Sequence, residues 1–161
     1  EVVIEMVGTV NSVLDMYCGT GSISLLIARQ AQSVLGVESV VEAVEDAWLN
    51  AEQNGVSNCE FIAGTAEDVL GDLVIQRRRF DLIVVDPPRM GLHKKALAGV
   101  IALDIPRMIY VSCNPHTLTS DLSGLGDAGY RVDRVRPVDM FPQTPHCEVV
   151  VELRKKGWLT N

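Results

Sequence analysis

A cysteine closes an apolar run in the middle of this 161-residue chain, in the stretch Ile109-Tyr110-Val111-Ser112-Cys113-Asn114-Pro115. Ile109, Tyr110 and Val111 have the length and β-branched or aromatic character of a buried strand. Asn114 suits a helix N-cap, and Pro115 suits the first helical turn, where a missing N–H costs nothing. Cys113 is therefore expected where a strand hands over to a helix N-terminus. The positive end of a helix dipole favours a thiolate, the nucleophilic form of cysteine. The same position also accommodates a buried, inert thiol.

Four further groups have chemical potential. In Asp86-Pro87-Pro88-Arg89 two prolines hold the backbone extended after an apolar run, which fixes Asp86 in place. Arg89, which closes this motif, reads equally as a ligand contact or as one half of an intradomain salt bridge. The stretch from Asp15 to Ser22 carries Gly19 and Gly21, which let a backbone approach a ligand closely. Ser24 stands where a dinucleotide fingerprint wants Gly or Ala. Glu38 ends a strand-like run and is placed to accept hydrogen bonds from ribose hydroxyls; it also reads as a plain surface glutamate. Thr65 would lie near an adenine, or simply cap the helix that follows. Together these fit a nucleoside cofactor better than a nicotinamide dinucleotide.

The elements that must position these residues alternate between strand-like and helix-like runs. Strands are expected over 12–17, 33–38, 59–63, 80–86, 108–112, 130–138 and 147–153, with helices over 22–30, 41–53, 66–75, 94–103 and 117–125. The helix over 41–53 is read as amphipathic through Val41, Val44, Trp48 and Ala51. This order predicts an α/β fold, a mostly parallel seven-stranded sheet with helices on both faces. The connection over 139–146 is too short for a crossover helix and requires an antiparallel return. Ligands of such sheets bind beyond the carboxyl ends of the strands. The residues around Asp15–Gly21, Glu38, Thr65, Asp86–Arg89 and Cys113 thus converge on one rim. An antiparallel last strand would bring His146, Cys147 and Glu148 to the same edge.

Composition bounds the function. The formal charge is −7, which argues against this chain alone as a strong nucleic-acid binder. The basic clusters at 77–79, at 131, 134 and 136, and at 154–156 read as solvated faces or helix ends. Four dispersed cysteines form no C-x-x-C pair, so neither a metal site nor a disulfide framework is expected, and a reducing, cytoplasmic setting is the default. No apolar run is long enough to span a membrane. The chain lacks an initial methionine and a basic leader and is read as one domain over 1–161, cut from a longer protein.

Three blocks together resemble a known family. They are Asp86 to Gly91, Met108 to Thr117, and Val138 to Glu148, in that order and at similar spacing. They look like the signature blocks of the RNA uracil-5-methyltransferases, which methylate C5 of uridine in transfer or ribosomal RNA. The resemblance covers essentially the whole chain. It implies a class I S-adenosylmethionine-dependent methyltransferase domain of Rossmann-like fold. It further implies Cys113 as nucleophile and Glu148 as general base. Tyr17, Ser22, Glu38, Thr65 and Asp86 match cofactor-contacting positions. Cys147 departs from the family, which usually has an aliphatic or aromatic residue there. The family's upstream cofactor-binding glutamine, its RNA-binding N-terminal region and the iron–sulfur cysteines of some members are not present. The implied cofactor is S-adenosylmethionine and the implied partner is RNA, gripped largely outside this chain; neither DNA nor a membrane is expected.

Two other readings compete. An RNA cytosine-5-methyltransferase would usually carry a second cysteine in the loop after the Asp-Pro strand, and Asp86 to Gly91 contains none. A cofactor-binding module inactive on RNA would have the same fold. His93, His116 and His146 are read as surface, capping or loop-orienting residues, and a Cys113/His116 metal pair lacks a second pair of ligands.

Overall fold

The computed structural model describes residues 1–140, 142, 143 and 147–157. Its elements, in chain order, are α1 (Val2–Val7), β1 (Val10–Met16), α2 (Ser22–Ile27), β2 (Ala31–Glu38), α3 (Val41–Gln53), β3 (Cys59–Ala63), α4 (Ala66–Ile75), β4 (Leu82–Val85), α5 (Lys94–Leu103), β5 (Arg107–Ser112), α6 (Pro115–Asp127), β6 (Tyr130–Val138) and β7 (Glu148–Lys155). The strands form one seven-stranded sheet in the order β3-β2-β1-β4-β5-β7-β6. All pairs from β3 to β5 are parallel, whereas β7 runs antiparallel between β5 and β6. The antiparallel return expected from the short 139–146 connection is therefore present. His146 lies outside the described residues.

The central strands are apolar because both of their faces are covered. All four residues of β4 are buried. One face packs with Leu70, Leu73, Ala96, Val100, Leu118 and Leu125 of α4, α5 and α6, and the other with Met6, Val7, Ile27, Val44 and Ala47 of α1, α2 and α3. By contrast β6 is a sheet edge and is exposed over most of its length. Its arginines and Pro137 discourage further strand pairing there.

Several boundaries differ from the sequence reading. The helix at Val2–Val7 was not expected, and α2 ends at Ile27 rather than 30 because β2 begins at Ala31. The last major helix runs from Pro115 to Asp127 and passes through Gly124 and Gly126, since packing of Leu118 and Leu125 outweighs glycine's low helix propensity. In α3 the buried residues are Val44, Ala47 and Ala51. Val41 and Trp48, expected on the buried stripe, are about half exposed. Trp48 instead lies edge-on to the Phe61 ring, at 5.4 Å between centroids.

Candidate active site

The register of β4, β5 and β7 assembles the site. Val85 pairs with Tyr110, so Asp86 continues β4 beside Val111. Ser112 pairs with Val149, and one step further along the antiparallel ladder Cys113 stands opposite Glu148. Residues two apart share a face of a strand. Val111 and Cys113, and Glu148 and Val150, accordingly line one cleft together with Asp86. This cleft has a volume of about 660 Å³, and the first turn of α1 contributes Val2 and Val3 to its wall.

Local hydrogen bonds fix the cysteine. Ser112 Oγ accepts from the Asn114 N–H at 3.1 Å and donates to the Asn114 carbonyl at 3.0 Å, which closes a tight turn around Cys113. Asn114 caps α6 as expected: its Oδ1 accepts from the His116 N–H at 3.2 Å. Pro115 is the first helical residue and His116 is exposed. Cys113 is partly exposed, whereas Cys18 and Cys59 are buried, and burial pushes their thiols up to about 12 and about 11.

Two carboxyl groups on neighbouring strands have raised pKa values: Asp86, half-buried in the cleft lining, and the buried Asp15. Burial, reinforced by the neighbouring Glu148 charge, raises Asp86 to about 6. Asp15, on the adjacent strand, is fully buried, and its pKa rises to about 7. Burial is the main cause, with a contribution from Asp86, and it outweighs the hydrogen bond that Ser24 Oγ donates at 2.5 Å. Asp15 was read only as part of the glycine-loop segment. Its chemistry could not be seen because its full burial is a property of the packed fold.

A second, smaller cleft of about 160 Å³ opens at the same rim, lined by Met16, Tyr17, Val37, Glu38 and Thr65 among others. Tyr17 is held at φ 65°, and burial, with Glu67, Asp121 and Glu38 nearby, raises its phenol to about 12. Partial burial opposes ionisation of Glu38, but hydrogen bonds from Val40, Ser39 and Gly19 outweigh it and hold the carboxyl below its ordinary range. Glu38 Oε1 takes the Ser39 and Val40 contacts, and Oε2 accepts from the Gly19 N–H at 3.1 Å.

The remaining candidates are less central. Thr65 caps α4, its Oγ1 accepting from the Asp68 N–H at 3.2 Å, while also lining the smaller cleft. Gly21 caps α2 at φ 81°, and the exposed Ser22 follows it. Arg89 is exposed on the turn after Asp86, and its carbonyl accepts from Asn114 Nδ2 at 3.0 Å. His93 caps α5 and lies 3.4 Å from Glu67. The late basic clusters are largely engaged in ion pairs: Arg134 and Arg154 with Glu152, Arg136 with Glu5, and Lys155 with Asp104.

The tRNA (uracil-5-)-methyltransferase profile matches residues 1–156. This chain belongs to that family. It is 49% identical over 148 residues to an uncharacterized RNA methyltransferase of Clostridium tetani, covering 92% of this chain and 32% of the relative. A second such relative, from Oceanobacillus iheyensis, is 51% identical over 144 residues, covering 89% of this chain and 31% of its own length. Among solved structures, the Pyrococcus abyssi tRNA (uracil-54, C5)-methyltransferase in complex with S-adenosyl-L-homocysteine superposes with a TM-score of 0.81 at 36% identity, over 94% of this chain and 36% of that one. A precorrin-6y C5,15-methyltransferase from Geobacter metallireducens shares the fold, with a TM-score of 0.76 at 15% identity over 96% of this chain and 86% of that one. The sheet is thus that of the class I methyltransferases. The chain spans about a third of the length of the curated relatives it matches.

Proposed function

We propose that this chain is the catalytic domain of an RNA uridine C5-methyltransferase that uses S-adenosylmethionine. The observation that carries this reading is the convergence of Cys113, Glu148 and Asp86 on one cleft, in a chain of the uracil-5 family. The smaller cleft suits a nucleoside: apolar Met16 and Val37 flank Glu38, whose Oε2 carries a single hydrogen bond and keeps acceptor capacity for ribose hydroxyls. Tyr17, Glu38 and Thr65 would hold the adenosine part, the backbone at Gly19, Gly21 and Ser22 would pass close to it, and Asp86 would face the methionine end. S-adenosylmethionine supplies an electrophilic methyl group.

In this reading Cys113 Sγ adds to C6 of a uracil that has left the base stack, because a stacked base keeps C6 out of reach. The electron pair displaced from the C5–C6 bond makes C5 nucleophilic, and C5 would take up the methyl group, the electron pair of the broken S–CH3 bond staying on the cofactor's sulfur as S-adenosylhomocysteine. Glu148 then removes the C5 proton. The resulting electron pair re-forms the C5–C6 double bond and expels Cys113 as thiolate. Arg89 would contact phosphate or the flipped base. The setting is a reducing cytoplasm, which keeps Cys113 as a thiol. No described helix is long and apolar enough to cross a membrane.

Intact-mass spectrometry after incubation with S-adenosylmethionine and RNA containing 5-fluorouridine tests the reading. Fluorine cannot leave C5 as a proton, so turnover stops at the covalent adduct. Wild type is expected to gain the mass of the RNA, and Cys113→Ala is expected to gain none. A wild-type chain that binds the cofactor but forms no adduct with T-arm or ribosomal hairpins would mark it as a cofactor-binding module instead.

A further inference from the structure

One face of α6 holds the turn that follows Asp86. Asn114, Thr117 and Asp121, spaced three and four residues apart, lie on the same side of the helix. Asn114 Nδ2 donates to the Arg89 carbonyl at 3.0 Å, and Thr117 Oγ1 stands 3.2 Å from the same oxygen. Asp121 Oδ2 accepts from the Leu92 N–H at 2.8 Å and from the Tyr110 hydroxyl at 2.5 Å. The Asp121 side is buried, with 7% of the residue exposed. Between these bonds the turn is closed by the Gly91 N–H on the Pro88 carbonyl at 2.8 Å. Gly91 adopts φ +77°, and a Cβ there would stand 2.6 Å from Asp121 Oδ2. Only glycine allows this approach.

The consequence is geometric. Cys113 is fixed to the N-terminus of α6, Asp86 begins the clamped turn, and Tyr110 lies on the strand that carries Cys113. A single buried carboxylate oxygen therefore ties β5, α6 and the turn after β4 into one unit. We propose that Asp121, locked by Tyr110, is a positioning residue that sets the separation of Cys113 from Asp86 across the cleft. The reaction needs the thiolate, the base and the methyl donor aligned within a fraction of an ångström. A clamp between the two walls supplies that alignment without touching a reactant. This inference rests on the methyltransferase reading for its effect on turnover, and on geometry alone for the clamp itself.

The experiment compares wild type with Tyr110→Phe, Asp121→Asn and Asp121→Ala. Tyr110→Phe keeps the ring in the core and removes one donor. Asp121→Asn keeps an oxygen for both donors. Three quantities are read: the rate of adduct formation with 5-fluorouridine RNA, the affinity for S-adenosylmethionine by calorimetry, and amide exchange at Leu92. Tyr110→Phe and Asp121→Ala are expected to slow adduct formation at saturating RNA and cofactor by about tenfold or more. Cofactor affinity is expected to stay within about threefold while Leu92 exchange accelerates. Asp121→Asn is expected to recover most of the rate. Faster Leu92 exchange with an unchanged adduct rate would overturn the proposal and leave Asp121 as scaffold. Unchanged exchange in Asp121→Ala would overturn the clamp itself. If wild type forms no adduct, the uridine reading fails separately; the positioning claim is then read from Cys113 alkylation by iodoacetamide, expected to change several-fold in Asp121→Ala and not in Asp121→Asn. Equal alkylation rates would overturn it.

Discussion

At the scale of single residues, the site divides its carboxyl groups by environment. Glu148 lies in the open cleft opposite Cys113. In the proposed reaction it removes the C5 proton after the thiol has added. Glu148→Gln is therefore expected to form the Cys113 adduct on ordinary uridine RNA and release it slowly, with turnover down by about a hundredfold or more. Trapped complexes on denaturing gels check this, and failure to form any adduct would assign Glu148 to an earlier step. Asp15 has a different character. Its pKa is raised from 3.8 to about 7 by burial, so the folded state holds its proton more tightly than the unfolded chain does. Its contribution to stability is full below about pH 4 and is lost as pH rises through about 7. Asp15→Asn is expected to flatten the fall in stability between about pH 4 and 7 (measured as the urea midpoint) and to be the more stable form at the alkaline end.

At the scale of elements, a short helix depends on a partner a hundred residues away. The six residues of α1 are too few to be helical alone. Arg107, at the start of β5, donates to the Val7 carbonyl at 2.7 Å and to the Met6 carbonyl, satisfying the end of the helix. The same guanidinium pairs with the fully buried Glu152 at 2.7 Å, which Arg154 and Arg134 also approach. Since α1 forms part of the cleft wall, this ion cluster supports the site from beneath. Arg107→Ala leaves Glu152 short of a partner and the Met6 and Val7 carbonyls without their donor. It is expected to destabilise the fold by about 3 kcal/mol, measured by denaturant unfolding, and Arg107→Lys to restore only part of that.

At the scale of the whole molecule, charge and extent belong together. The chain carries a net −7, and several of its basic side chains are engaged with acidic ones. Affinity for RNA grows with the number of phosphates neutralised and falls with salt in proportion to that number. This chain alone is expected to bind RNA weakly, with a log–log salt slope smaller in magnitude than about 2. Filter binding between low and moderate salt checks the slope; a steep one would place the main RNA grip on this chain rather than on the additional length that its relatives possess.

The alternation of strands and helices, the antiparallel return and the rim that gathers Cys113, Glu148 and Asp86 could be read from residue order. These are local patterns: apolar runs set the strands, prolines and Asn114 set the turns, and a short connection forbids a crossover. Three features depended on contacts across the fold. Helix α1 exists because Arg107, a hundred residues away, satisfies its carbonyls. Asp15 becomes a weak acid because the packed fold buries it fully. Asp121 acquires its place because Gly91 lets a turn from another segment approach to hydrogen-bonding distance. Periodicity could not show them, since each is a property of a pair or cluster distant along the chain. Trp48 and Val41 make the same point in reverse: their helical spacing suggested burial, but α3 packs on the sheet through the smaller Val44, Ala47 and Ala51. Sequence by itself determined which elements form, α1 apart, and which edge gathers Cys113, Asp86 and Glu148, because those follow from local sterics and solvation. Tertiary structure decided how firmly that edge is held and at what pH its acids ionise, because burial and clamping arise only when distant segments meet.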